Sequence, residues 1–353
     1  MRFGFLLILL LNSAAAMADL TVAPRYEYIQ GKDEELANRL LVKGKLNSTL
    51  GPFGVFVEGF GELEGNEDQA YVRRSPSHGY LQEAYFEFNL DSFYVRVGRQ
   101  ALRWSESWTV PSLDVWTGRR WNRLFFDPLA DQLTHSTGVV FSYARESYSF
   151  ELVGVGELAK SSYPVPVEGP SVEENTSFGG RVKWNWGNFA FSALSAQISK
   201  TDHYGLTGNY AFENAVPKFE VGLIHDREAL ANQQDRKFAT LGCDIFWGNW
   251  ILLTQASQYE TVQITGIETE TSYYLSGQWN PNRHDIQFQA FYIPASESRF
   301  GSFSYGYNLT DYFTVSGFVQ NYAGGRDLYQ IYEEITGGTV VGLRLELSGN
   351  LAF

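Results

Sequence analysis

The chain is short of what a disulfide-bonded, helical-membrane or nucleic-acid-binding protein needs. Cys243 is the single cysteine, which excludes an intramolecular disulfide. After the first residues, no stretch approaches the roughly 18 uninterrupted apolar residues of a membrane-spanning helix. Positive charge is scarce: 27 Lys and Arg stand against 40 Asp and Glu, a formal net charge of −13. No nucleic-acid partner is expected. Catalytic signatures are missing too, with no Gly-x-Ser-x-Gly elbow, no HExxH and no spaced His/Cys cluster. The five histidines are His78, His135, His203, His225 and His284. His135-Ser136 are sequence neighbours, so on a strand they point to opposite faces and form no nucleophile–base pair. Neither an enzyme, a cofactor nor a metal site is expected.

What is present begins with an export signal over residues 1–18: Arg2, the apolar Phe3–Leu11, then Ala16-Met17-Ala18 ahead of Asp19. Residues 19–353 then form one all-β unit. Alternating runs recur with a regular rhythm, near 20–30, 36–49, 53–63, 80–89 and 92–101, and onward to 339–353. They amount to about 18 strands (16–18), most near the ten or so residues of a tilted membrane-crossing strand. Two runs, 189–199 and 251–259, show no clean apolar face. Short connections such as Gly51-Pro52, Leu90–Ser92, Gly187-Asn188 and Gly248-Asn249 follow even-numbered strands. Longer ones, including 64–79, 103–133, 159–175 and 323–338, mostly follow odd-numbered strands. That sorting is the layout of a transmembrane antiparallel barrel with short periplasmic turns and long extracellular loops. Trp184, Trp186, Trp247, Trp250 and Trp279 sit beside short turns, where an interfacial girdle belongs. Eight strands close on side chains, whereas 16–18 leave a lumen. A soluble all-β secreted protein is the competing reading.

On the barrel reading, the polar face of each strand is pore wall. Arg39, Lys43 and Lys45 fall there on the second strand, Glu58 and Glu62 on the third, Glu83 and Glu87 on the fourth, then Arg96. Glu151, Arg181, Lys183, Arg344 and Glu346 follow further round, with Arg25 and Glu27 on the first strand. Such charges either pair across strands or form separated basic and acidic faces.

Residues 103–133 have no sustained period and hold Trp104, Trp108, Trp116 and Trp121 with Arg103, Arg119, Arg120 and Arg123, plus Asp114. A loop of that length is normally functional or disordered, and its aromatic content argues against disorder. It follows the fifth strand as the third long loop. In general porins, which the layout resembles, that loop folds inward. The same is expected here, with tryptophans on the wall and arginines facing Glu58, Glu62, Glu83 or Glu87. The competing reading braces the loop over the mouth.

The segment 81–104, LQEAYFEFNLDSFYVRVGRQALRW, followed by Leu113-Asp114-Val115, resembles alginate-export-like and related barrels: an acidic-aromatic strand, a Gly-Arg-Gln ending, then Trp and Leu-Asp-Val. Gly98 would let the strand bend and Arg99 turn inward. The alginate exporters have a strongly basic pore, whereas this wall is balanced. The terminal strand, ending on Phe353, is similar to those read by the barrel-assembly machinery. The resemblances imply a bacterial outer-membrane porin, in contact with lipid and lipopolysaccharide, for passive or selective diffusion of small polar or anionic solutes. The alternatives are a plugged structural or adhesion barrel binding a partner through its external loops, and then a lipid-modifying enzyme.

Overall fold

The computed structural model describes residues 18–32, 35–64, 77–106, 113–119, 133–159, 172–229, 235–263, 266–324, 333, 336–347 and 349–352. Phe353, residues 1–17, Trp108, Arg120, Trp121 and Arg123 lie outside them, as does the side chain of Arg119.

The first five strands are β1 (Ala18–Gln30), β2 (Glu35–Leu50), β3 (Phe53–Glu64), β4 (Ser77–Leu90) and β5 (Phe93–Gln100). After the long loop come β6 (Ser136–Ala144), β7 (Tyr148–Ala159), β8 (Val172–Trp186), β9 (Phe189–Ile198) and β10 (Thr201–Tyr210). Next are β11 (Ala215–Asp226), β12 (Asp235–Trp247), β13 (Trp250–Gln263) and β14 (Gly266–Trp279). The set ends with β15 (His284–Ile293), β16 (Ser298–Asn308), β17 (Phe313–Ala323) and β18 (Thr339–Leu347, continued by Gly349–Ala352). Each pairs antiparallel with the next, and both pieces of β18 pair with β1, so 18 strands close on themselves. Closure leaves no free edge, which a hydrocarbon surround would penalise heavily. No described helix is long and apolar enough to cross a membrane.

Alternation decides which way each side chain points. Leu40, Phe86, Val97, Leu152, Phe178, Leu206, Leu241, Tyr273, Phe303 and Leu343, spread over ten of the strands, are exposed apolar side chains. Trp186 and Trp247 are the most exposed aromatics, at 86% and 75%, and both flank tight turns. Trp250 and Trp279, directly paired across β13–β14, stack at 5.7 Å. Ile198 to Thr201 and Ile293 to Ser298 are short although they follow odd strands, as a sorting that holds only for most connections allows.

Candidate functional site

Register assembles the inner wall. Glu27 on β1 faces Arg39 on β2 and Arg344 on β18. Its carboxylate binds Arg39 at 2.6 Å, Arg344 at 2.6 Å and Arg25 at 3.0 Å. Arg39 continues to Glu62 on β3 at 2.9 Å, and Lys43 reaches Glu58 at 2.9 Å. This chain of charges straddles the seam where the first and last strands meet. Arg25 also lies directly opposite Glu346. Glu27 and Arg39 are buried, and charges so far from water are tolerated only because each is matched.

β5 carries an aromatic and cationic tract. Phe56 stacks on Tyr85 at 5.0 Å, and Lys45 lies 5.1 Å from the Phe56 ring. The Arg96 guanidinium lies 4.4 Å from the Tyr85 ring centre, and its Nε donates to Tyr94 Oη at 2.6 Å. Tyr94 in turn donates to Glu87 at 2.9 Å. Gly98 adopts φ +132°, and a Cβ there would stand 2.3 Å from the Ala84 carbonyl oxygen, so no other residue fits. Past that kink Arg99 breaks the alternation and turns inward onto Tyr80, donating to its hydroxyl at 3.2 Å. Gln100 then locks the kink, its amide donating to the carbonyls of Gly98 and Gly138. Gly-Arg-Gln is therefore a bent strand end, each residue with its own task.

The long loop leaves β5 and runs along the inner wall. Leu102, Trp104, Leu113 and Trp116 are buried with Val140, Val153, Val155, Leu194, Ala196, Ile198 and Phe238, which project from β6, β7, β9 and β12. Trp104 and Trp116 meet edge to face at 5.3 Å and 87°, the geometry that aromatic quadrupoles favour. Trp104 Nε1 donates to Glu151, and Arg181 lies 5.8 Å from the Trp104 ring. Arg181 is also 3.6 Å from Glu151. Farther round, Glu220 on β11 accepts from Ser105 Oγ at 2.7 Å, Glu106 N at 3.0 Å and Leu113 N at 3.3 Å. The loop's return is tied by Thr117 Oγ1 to the Leu102 carbonyl at 2.9 Å, and by Ser136 Oγ to the Trp116 carbonyl. A two-residue ribbon, Gly118–Arg119 with Leu133–Thr134, closes its base.

Among the described residues the wall carboxylates have these partners, while Arg120, Arg123 and the side chain of Arg119 lie outside them. Glu58 and Glu62 meet Lys43 and Arg39 of the wall, Glu87 meets Tyr94, and Glu83 accepts the backbone N–H of Ala101 at 2.7 Å. Asp114 is half-buried and Arg103 exposed. Lys183, Arg181 and Glu151 share the inner face of β7–β8. Sequence reasoning missed Glu220, although alternation with Phe219 and Val221 already put it on the wall. His135 and Ser136 contact different groups, Gln82 and Trp116.

No protein-family model matches this sequence, and no curated protein matches it. Solved structures match in fold. OccAB2 of Acinetobacter baumannii aligns at TM-score 0.64 and 8% identity, covering 96% of this chain and 99% of that one. Pseudomonas aeruginosa OccK2 (OpdF), solved in complex with glucuronate, aligns at TM-score 0.63 and 10% identity over 95% and 98%. A BenF-like porin of Pseudomonas fluorescens Pf-5 aligns at TM-score 0.64 and 10% identity over 96% and 98%. The chain has the 18-stranded barrel fold of these outer-membrane porins. The comparisons carry the porin-barrel part of the expected resemblance and not its alginate-export part.

Proposed function

We propose that the protein is an outer-membrane diffusion porin for small polar or anionic solutes, narrowed by residues 103–133. One observation carries this reading: the described parts of that loop pack against buried side chains of β6, β7, β9 and β12 and are hydrogen-bonded to Glu220 on β11. A solute passing the loop would meet Arg96 and Arg99, whose guanidinium groups lie against the rings of Tyr85 and Tyr80. Planar N–H edges of that kind suit carboxylates, and glucuronate in OccK2 is such a solute. The balanced wall charge speaks against a polyanion, and so against alginate export.

Single-channel recording in a planar bilayer tests the proposal. The wild-type protein should show open steps, larger after deletion of residues 107–122. Arg119→Ala with Arg120→Ala should move the reversal potential toward cations, and an unchanged potential removes those residues from the narrow zone. A silent wild type that opens on deletion would make the protein a plugged barrel, the second reading. That reading rests on the extent of the buried loop–wall contact.

A further inference from the structure

Glu106 and Leu113 bracket residues 107–112, which lie outside the described residues. Both of those backbone N–H groups end on one carboxylate, that of Glu220, at 3.0 Å and 3.3 Å. The Ser105 hydroxyl joins them at 2.7 Å. Glu220 is 1% exposed. It belongs to β11, a strand separated from β5 by β6 to β10 along the shorter way round the wall. Two oxygens thus draw together the neck of a loop at a point remote from both of its roots. Lys218, two residues along the same face, is turned to Asp244 at 2.7 Å.

We propose that Glu220 is the positioning residue of the channel: its carboxylate clips the neck of the loop to the far wall and so sets how much of the lumen stays open. The inference rests on reading the loop as the narrowing element. It goes beyond that reading by assigning the loop's position to one side chain. Apolar packing alone lets the loop slide, because it is non-directional. Hydrogen bonds from three donors to one buried anion fix a register.

The clip predicts a graded series. Ser105→Ala removes one donor and leaves Glu220 in place. Glu220→Gln keeps the volume but turns one oxygen into an amide that repels the facing N–H donors. Glu220→Ala removes the acceptor altogether. Losing one bond to a buried carboxylate shifts the docked-to-undocked ratio by about tenfold. Two readouts follow on the full-length protein in detergent and in planar bilayers, with heat-modifiable gel mobility confirming a closed barrel. Trypsin should cut at the loop arginines, Arg103 to Arg123, faster in the order wild type, Ser105→Ala, Glu220→Gln, Glu220→Ala. Mean conductance should rise in the same order. Closed-barrel variants with wild-type cleavage and wild-type conductance overturn the clip while leaving the porin reading intact. Graded cleavage with no conductance in the wild type supports the clip and removes the porin reading instead. If Glu220→Ala fails to close, Ser105→Ala and Glu220→Gln decide by the same two measurements.

Discussion

Leu113 sits directly on the backbone of Gly205: a Cβ added to Gly205 would lie 2.3 Å from Leu113 Cδ2. The loop and β10 touch where the wall has no side chain, and Leu113 is fully buried as a result. Gly205→Val should therefore push the loop off the wall, at a cost of about 1–3 kcal/mol for the overpacked site. Trimming the partner with Leu113→Ala in the same chain should return much of the docking. Trypsin sensitivity of the loop in the single and double variants measures this. Equal sensitivity in wild type and Gly205→Val would show that the contact carries no weight.

Trp104 separates packing from charge. Trp104→Phe keeps an aromatic body against Trp116 but removes the N–H that Glu151 accepts. Losing a bond to a carboxylate should weaken docking by about 1.5–3 kcal/mol. It should also free a negative group beside Arg181, moving the reversal potential toward cations. Trp104→Ala adds the loss of the ring, about 3–5 kcal/mol. A reversal potential unmoved in Trp104→Phe would place Glu151 away from the ion path.

Period-2 alternation made the barrel legible because lipid and water impose opposite demands on the two faces of each strand. Where a strand meets neither, the pattern fades, and β9 shows why. Its inner face offers Leu194, Ala196 and Ile198 to the loop, so both faces are apolar and residues 189–199 display no clean stripe. The loop's tryptophans announced burial, but their docking surface is spread over β6, β7, β9 and β12. No local window of sequence contains it. Glu220 was hidden for the same reason: its partners lie 107 to 115 residues away. The kink at Gly98 was foreseeable from glycine and Arg99 together.

At the seam of the barrel, Glu27 binds three arginines while excluded from solvent. Removing one partner of a buried ion pair is far more damaging than replacing both, because the remaining charges lose their counter-ion without regaining water. Glu27→Gln should remove the carboxylate that Arg25, Arg39 and Arg344 share, leaving Arg39 its bond to Glu62, and destabilise closure by about 3–5 kcal/mol. Lys43→Met should cost far less, because the Lys43–Glu58 pair is partly solvated. The temperature at which the folded, fast-migrating form is lost on a gel ranks the two variants. Equal temperatures would mean that the seam network does not hold the first strand to the last.

His135, just ahead of β6, links the loop's return to a bulge in β4. Glu58 pairs with Glu83 and Gly59 with Leu81, so Gln82 is left out of register, and its carbonyl lies 2.9 Å from His135 Nδ1. A carbonyl only accepts, so Nδ1 carries the proton and the neutral ring suffices for the bond. Burial is the main influence on this imidazole and lowers its pKa below the ordinary 6.5, with the Arg99 charge acting in the same direction. The bond to Gln82 and the nearby glutamates oppose that shift without cancelling it. Stability from the neutral ring is therefore fully present above about pH 6.5, where the unfolded chain is also neutral. It is lost as the pH falls, first because the unfolded chain takes up a proton that the folded ring refuses. The wild-type melting temperature should drop between pH 7 and pH 5 by on the order of 2 °C more than that of His135→Gln, whose amide donates the same bond without titrating. Parallel melting curves for the two proteins across that range would show that His135 is not the group through which acid reaches the loop.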